Sequence, residues 1–279
     1  MTIHVLTDST ADLPTSVCKE LGITVVPAIV RFGNQIFRDG IDITPDDFYT
    51  RMELSPIRPC TSQPSPEDFA TAFRKLSSKS QGIVAIHSTS KLSGIYNSAM
   101  QGKNLTCDVC PIMVLDSSFT SVGLGLVVLA AAKVAKAGAA VNEVIAEARK
   151  AISEIKMLGI IDNLEYLIKG GRISRFKGTA SQLLGVKPVL MFKDGEIVQS
   201  GLVRTFNHGV RKIAEFVENQ THVAALAIAH SRIPNRVAEL KEKFGHMVLP
   251  EPILVSELGP ALGVHGGPGV LMVAVRSGG

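Results

Sequence analysis

Tryptophan is absent from this sequence of 279 residues, and aromatic residues make up only 5% of it. Hydrophobic residues nevertheless account for 46%, so the interior must be built mainly from aliphatic side chains. The net charge is also small, because 29 basic and 25 acidic residues leave a formal net charge of +4. Lysine and arginine never form a run longer than two residues, and no aromatic-rich strand offers a surface for base stacking. These absences argue against nucleic-acid binding.

Long apolar segments and targeting signals are missing as well. The chain begins Met-Thr-Ile-His-Val-Leu-Thr-Asp, without the basic stretch and apolar run that form a secretory signal. The longest apolar stretch, residues 122–135, contains Lys133 and is too short to span a bilayer. We therefore expect a cytoplasmic protein.

Cysteine is scarce, and the only closely spaced pair of the four is Cys107 and Cys110 in a single C-x-x-C. The sequence contains no second ligand pair, no H-x-x-x-H motif and no cluster of carboxylates at metal-ligand spacing. Two reduced thiols in a loop therefore explain this pair better than zinc or redox chemistry does. The phosphate loop G-x-x-x-x-G-K-[ST] and a complete dinucleotide fingerprint are also absent. We expect neither a metal nor a cofactor.

In the first half of the chain, apolar runs end in aspartate, serine or threonine and then lead into helix-forming segments. These runs are residues 3–6, 82–87 and 112–115. The alternation predicts a doubly wound, mainly parallel sheet with its ligand site outside the carboxyl ends of the strands. A further strand is expected at residues 23–30, after a helix that Asp12 or Thr15 could cap and Gly22 would end.

The pattern changes after about residue 156. Asp194 and Gly195 lie between two apolar runs, residues 187–192 and 196–204, an arrangement typical of an antiparallel hairpin. The sequence thus predicts an α/β protein of two domains. The N-terminal domain has a mainly parallel sheet and the C-terminal domain a mixed or antiparallel one, and they comprise residues 1–156 and 157–279.

Hydroxyl groups and one histidine are the candidate functional residues. Ser9, Ser93 and Ser117 all follow predicted strands. His265 lies in the glycine-rich segment 263–269, which is predicted to form a loop. Glycines leave an imidazole uncovered, although a lone histidine is more often structural. Such groups could hold a carboxylate by neutral hydrogen bonds, while the aliphatic interior buries an apolar tail at roughly 0.8 kcal/mol per CH₂.

Two other functions remain open for this sequence. A hydrolase or acyltransferase would take Ser93 as nucleophile and His265 as base, but Lys91 stands near the serine where the G-x-S-x-G motif requires glycine. A scaffold with an empty pocket would use neither residue. A carrier predicts stoichiometric bound lipid and an inert Ser93, whereas an enzyme predicts covalent labelling of Ser93.

Six blocks of the sequence, taken in order, resemble the DegV family, whose members include the fatty-acid-binding subunits of the bacterial fatty acid kinase system. The blocks are residues 7–14, 61–64, 92–99, 116–117 with 121–125, 164–174 and 259–269. The resemblance covers almost the whole chain. It implies a two-domain α/β protein, without catalytic activity of its own, that encloses one long-chain fatty acid. The tail would lie in an interior tunnel and the carboxylate at the domain junction.

The resemblance also implies roles for individual residues and partners. The carboxylate contacts of the family match Thr61, Ser93 and His265, with the Ser62 hydroxyl and the Gly94 amide as neighbours. A separate ATP-dependent kinase subunit would convert the bound acid to an acyl phosphate, which the protein would carry to an acyltransferase at the membrane.

Basic residues of the family meet the kinase, and Arg172 and Arg204 match those positions, although exposed structural salt bridges would explain both as well. The sequence departs from the family pattern at three places: Ile95, Phe206 and residues 230–232. The last two bear on the kinase contact more than on lipid binding.

Overall fold

The chain forms three β-sheets in a computed structural model that describes residues 2–106, 110–172 and 185–278. The strands are β1 (Ile3–Asp8), β2 (Thr24–Val26), β3 (Ile29–Phe32), β4 (Gln35–Arg38), β5 (Cys60–Ser62), β6 (Gly82–His87), β7 (Ile112–Asp116), β8 (Ile155–Ile161), β9 (Lys187–Lys193), β10 (Glu196–Val203), β11 (Val223–His230), β12 (Leu254–Glu257) and β13 (Val270–Ser277). The helices are α1 (Thr15–Leu21), α2 (Pro45–Leu54), α3 (Pro66–Ser77), α4 (Ile95–Asn104), α5 (Ser121–Lys136), α6 (Val141–Glu154), α7 (Glu165–Gly170), α8 (Phe206–Glu218), α9 (Pro234–Lys243) and α10 (Pro260–Gly266).

The first sheet, called here the parallel sheet, has the strand order β2-β1-β6-β7. Alternate residues of its central strands face opposite layers: Val5 and Val84 pack with α5 and α6, while Leu6 and Ile83 pack with the α3 and α4 side. β1 lies between β2, which follows it in the chain, and β6. The chain therefore adds β2 on one side of β1 and later strands on the other side, so the strand order switches at β1. A ligand crevice is expected beside such a reversal.

The predicted strand at residues 23–30 is wrong, because the run divides into two strands of different sheets. β2 pairs with β1 in the parallel sheet, whereas β3 pairs with β4 and β5 in a small antiparallel sheet of order β4-β3-β5. Pro27 separates them, and proline has no backbone N–H for a continuous ladder. The proposed cap of α1 is wrong too, since this helix follows Pro14 without any side-chain cap; only its stop at Gly22 is confirmed.

The third sheet, called here the mixed sheet, has the order β10-β9-β8-β13-β11-β12, and β11 and β12 are its parallel pair. The hairpin of β9 and β10 turns at Asp194 and Gly195, whose φ angles are 51° and 78°, as the sequence predicts. A parallel sheet in the first half of the chain and a mixed sheet in the second confirm the predicted fold class.

Helix α5 lies between the parallel and mixed sheets and is buried on nearly all sides. Val84 of the parallel sheet and Ala227 of the mixed sheet belong to the same core as this helix. Small residues allow the close approach: a Cβ on Gly125 would lie 2.9 Å from the carbonyl oxygen of Ala11. Within the described ranges, no helix is both long and apolar enough to cross a lipid bilayer.

Candidate functional site

A cavity of about 150 Å³ lies where the parallel, small and mixed sheets meet. The mixed sheet supplies much of its apolar wall, including Met157, Ile161, Leu190, Phe192, Ile197 and Met272. Hydroxyl and charged groups line the remainder, among them Thr61, Ser62, Ser93, Arg172 and His265. The cavity therefore combines an apolar wall for a hydrocarbon chain with polar groups for a head group.

Thr61 and His265 are brought together from opposite ends of the chain. Thr61 Oγ1 and His265 Nε2 are 2.9 Å apart and hydrogen-bonded. Thr61 lies on β5, opposite Val30 of β3. The predicted glycine-rich loop around His265 is wrong in its first part, because His265 lies in α10. Pro260 suits the first turn of this helix, and the chain leaves it at Gly267, whose φ is 67°.

The Nδ1 edge of the His265 ring packs against the end of α7. A Cβ at Gly170 would lie only 2.5 Å from His265 Nδ1. This nitrogen is buried and has no hydrogen-bond partner in the described part of the chain. Glycine at position 170 thus gives the imidazole the space it occupies.

His265 is neutral at physiological pH. Burial, together with smaller effects of the positive charges of Arg172 and Arg58, lowers the pKa of its imidazole to about 4. A neutral ring has one N–H donor and one acceptor nitrogen, so His265 acts through hydrogen bonding and not through a charge of its own.

Ser93 and Gly94 reach the cavity from the segment just before α4. The Ser93 hydroxyl oxygen accepts the N–H of Ile95 at 3.3 Å, and the Ser93 N–H donates to the carbonyl of Thr89. A Cβ on Gly94 would lie 3.0 Å from the Gln63 side chain. These local contacts hold Ser93 and Gly94 beside the strand that carries Thr61 and Ser62.

A nucleophile and base pair is not assembled from Ser93 and His265. The described hydrogen bonds include none between these two side chains, because His265 is bonded to Thr61 and Ser93 to a backbone amide. General-base activation of a serine needs the two groups within about 2.6–3.2 Å.

Arg172 lies closer to the cavity than its predicted surface role suggests. Its side chain lines the cavity and donates to the carbonyl oxygens of Leu92 at 3.4 Å and Gly170 at 2.6 Å. A guanidinium held in this way puts a fixed positive charge near the polar side of the site. Arg204, by contrast, is exposed between β10 and α8 and is not among the cavity-lining residues.

Sequence reasoning missed a buried acidic network next to the site. Asp12 accepts the N–H of Gly259 at 2.9 Å and lies 2.5 Å from the Ser121 hydroxyl. Burial raises the pKa of its carboxyl group to about 8. Asp39 accepts the Ser9 hydroxyl at 2.7 Å, and burial raises its pKa to about 6. The sequence showed the motif of Asp12 but gave no sign of partners more than 100 positions away.

Asp8 and Asp116, at the ends of β1 and β7, hold neighbouring segments at this edge of the parallel sheet. Asp8 accepts the N–H of Thr10 and is bonded to His87 Nδ1 at 2.9 Å, and Asp116 accepts the N–H groups of Ser90 and Ser118. In the described residues, no group of three or more histidine, cysteine, aspartate or glutamate side chains is suited to a metal ion. Cys107 of the C-x-x-C pair lies outside the described residues, as do positions 173 and 174.

Fold and site together define an α/β protein with an internal, largely apolar cavity that carries hydroxyl, imidazole and guanidinium groups at its polar side. A family model described as "Uncharacterised protein, DegV family" matches residues 2–277. The DegV domain-containing protein of Streptomyces coelicolor is 33% identical over an alignment of 280 positions that covers 99% of this chain and 98% of the relative. The corresponding protein of Caldanaerobacter subterraneus is 31% identical over 269 residues, 95% of each chain. The chain belongs to the DegV family.

Solved structures show the same fold. The DegV family protein from Thermus thermophilus, whose structure is described as one of fatty acid binding, aligns with a TM-score of 0.91 and 31% identity. The alignment covers 99% of this chain and 100% of that protein. DegV from Bacillus subtilis, described as a fatty acid binding protein, aligns with a TM-score of 0.90 and 26% identity over 100% of both chains.

Replacing Gly170 with alanine tests the packing of His265. We expect the new methyl group to displace the imidazole, which will move the C2–H signal of His265 in the NMR spectrum of the free protein. Gly171→Ala is the matched control, because nothing lies within 4 Å of its Cβ while its φ of 73° imposes backbone strain. An unmoved His265 signal in Gly170→Ala would show that the ring is not confined by this contact.

Replacing Arg172 with glutamine tests the electrostatics of the site. Loss of the positive charge is expected to raise the pKa of His265 from about 4 part of the way toward 6.5, because burial, the larger cause, remains. An NMR titration of the His265 C2–H signal measures this change. Arg204→Gln, which removes an exposed charge, should leave the pKa as it is. Equal His265 pKa values in wild type and Arg172→Gln would contradict the assigned proximity.

Proposed function

We propose that this protein is a cytoplasmic carrier that binds one long-chain fatty acid and presents its carboxylate to a separate ATP-dependent kinase subunit. The observation that carries the proposal is the Thr61–His265 pair at the polar side of a mostly apolar cavity. The fatty acid binding described for the structures from Thermus thermophilus and Bacillus subtilis supports it.

The tail would be held by burial against the mixed sheet. Met157, Leu190 and Phe192 present apolar side chains to the cavity, and each CH₂ moved from water to such a wall contributes roughly 0.8 kcal/mol. Most of the affinity would therefore come from the acyl chain and little from its head.

The head would be held by neutral donors and one nearby charge. The hydroxyls of Thr61, Ser62 and Ser93, the amide of Gly94 and the ring of His265 would surround the carboxylate. Hydrogen bonds to a charged group contribute about 1.5–3 kcal/mol each, and Arg172 would favour the anionic form of the ligand. Because these are hydrogen bonds and not covalent contacts, a carboxylate oxygen stays available as the nucleophile in phosphoryl transfer.

The kinase subunit would transfer the terminal phosphoryl group of ATP to that oxygen, giving an acyl phosphate bound to this protein. Arg172 and Arg204 would meet the kinase, Arg204 from its exposed position and Arg172 from the edge of the cavity. The acyl group would then pass to an acyltransferase during a transient contact at the membrane. In this scheme the protein needs no cofactor and carries out no chemistry alone.

The lipid content of the purified protein is the first test. We expect solvent extraction and mass spectrometry to find about one fatty acid per chain in the wild type. Thr61→Ala and His265→Ala should each weaken fatty acid binding about 10- to 100-fold, since each removes a charge-assisted hydrogen bond. Ser153→Ala, on the exposed part of α6, is the matched control.

Two results would overturn the proposal that the protein is a carrier. One is the absence of extracted lipid together with no rise in melting temperature on adding fatty acids. The other is release of a hydrolysed or transferred acyl product with covalent labelling of Ser93 by a serine-reactive probe, which would establish the enzyme instead.

Reversing the charge of Arg204 tests the kinase contact separately. Arg204→Glu should lower the rate of acyl phosphate formation at limiting kinase concentration at least several-fold, because a rim charge acts mainly on association. Fatty acid affinity should not change. Arg149→Glu, an exposed position on α6, is the control, and equal rates for both variants would exclude Arg204 from the contact.

A further inference from the structure

The helix that carries His265 is attached at its start to two buried carboxyl groups from the first forty residues of the chain. Asp12 Oδ1 accepts the N–H of Gly259 at 2.9 Å, and Asp39 Oδ2 lies 3.4 Å from the N–H of Ala261. Both aspartates are buried, with 8% and 4% of their surface exposed. The first turn of a helix leaves backbone N–H groups without helical partners, so these carboxyls supply acceptors that α10 itself lacks.

Each carboxyl group is fixed by a second contact. Asp12 Oδ2 lies 2.5 Å from the Ser121 hydroxyl at the start of α5. Asp39 accepts the Ser9 hydroxyl at 2.7 Å, and Ser9 Oγ in turn accepts the N–H of Ala28 at 3.0 Å. The start of α10 is therefore held by carboxyl groups that are themselves hydrogen-bonded to the start of α5 and to the segment just before β3.

Space at the attachment point is limited as well. A Cβ on Gly259 would lie 3.0 Å from Asp12 Oδ1 and 3.5 Å from Asp39 Oδ1. The backbone at Gly259 thus fits closely between the two carboxyl groups.

The same framework determines where Thr61 lies. Thr61 is on β5, which pairs with β3, and the N–H of Asp39 donates to the carbonyl of Ala28 just before β3. His265 follows Ala261 by four residues, about one helical turn. Both partners of the Thr61–His265 hydrogen bond are therefore positioned relative to Asp39, which contacts α10 and the segment just before β3.

We propose that Asp12 and Asp39 are positioning residues for the head-group site: by holding the first amides of α10, they set the distance between His265 and Thr61 and thereby the recognition of the carboxylate. This inference rests on the proposed function for its ligand. Neither aspartate touches the head group; both act through the placement of α10.

Because Asp12 is protonated, asparagine is a conservative replacement for it. With its pKa raised to about 8 by burial and by the charges of Asp39 and Asp8, the carboxyl group carries a proton at neutral pH. Asparagine has the same shape, keeps an oxygen for the Gly259 N–H and has N–H groups where the carboxyl has its proton. Asp12→Asn should therefore preserve the attachment that Asp12→Ala removes.

The test is a double-mutant cycle with hexadecanoate as the ligand. We expect Asp12→Ala to weaken binding about tenfold in the wild-type background and less than about twofold in the His265→Ala background. The second loss is smaller because the His265→Ala protein has no imidazole that Asp12→Ala could displace. Asp12→Asn should bind within about threefold of the wild type. Val144→Ala, on the buried face of α6, is the control for lost stability and should lower the melting temperature without changing affinity.

A ligand-independent measurement separates this inference from the proposed function. The C2–H signal of His265 in the free protein should move in Asp12→Ala and not in Asp12→Asn or Val144→Ala. A wild type that binds no fatty acid, combined with this pattern of shifts, would overturn the proposed function while the positioning role stands. Equal losses in both backgrounds, or an Asp12→Asn variant as weak as Asp12→Ala, would overturn the positioning role.

If Asp12→Ala does not fold, Gly259→Ala takes its place in the cycle. Its added methyl group pushes against Asp12 Oδ1 at the attachment point without removing the carboxyl. An affinity loss that disappears in the His265→Ala background supports the role, and an unchanged affinity or a loss independent of His265 contradicts it.

Discussion

The hydrogen bond between Thr61 and His265 joins residues 204 positions apart, and the candidate site depends on it. One partner lies in a three-stranded antiparallel sheet near the N-terminus, the other in a seven-residue helix near the C-terminus. Neither element would keep this geometry alone, since isolated short helices and small sheets are marginal in water. The site therefore exists only because larger elements bring the two ends of the chain together.

Helix α5 is the element that makes this approach possible. Its sides are apolar nearly all round, and it packs against the parallel sheet on one side and the mixed sheet on the other. Two sheets separated by one helix leave room beyond its N-terminal end, where Thr120 and Ser121 line the cavity. The cavity is thus a consequence of packing two sheets on a common helix.

Low polarity around the site governs the state of its ionisable groups. Burial lowers the pKa of His265 and raises those of Asp12 and Asp39, in each case favouring the uncharged form. Neutral groups can be buried at modest cost when they are hydrogen-bonded. Among the described residues that line the cavity, Arg172 is the charged one, which gives it particular weight in attracting an anionic ligand.

The sequence alone determined the fold class and some local features, including the end of α1 at Gly22 and the hairpin at Asp194 and Gly195. These features depend on local periodicity, capping and turn preferences. Only the tertiary structure decided that, of Ser9, Ser93 and Ser117, the cavity is lined by Ser93 alone. It also placed His265 beside Thr61 and Asp12 beside Gly259, because such contacts join residues more than 100 positions apart and leave no local pattern in the sequence.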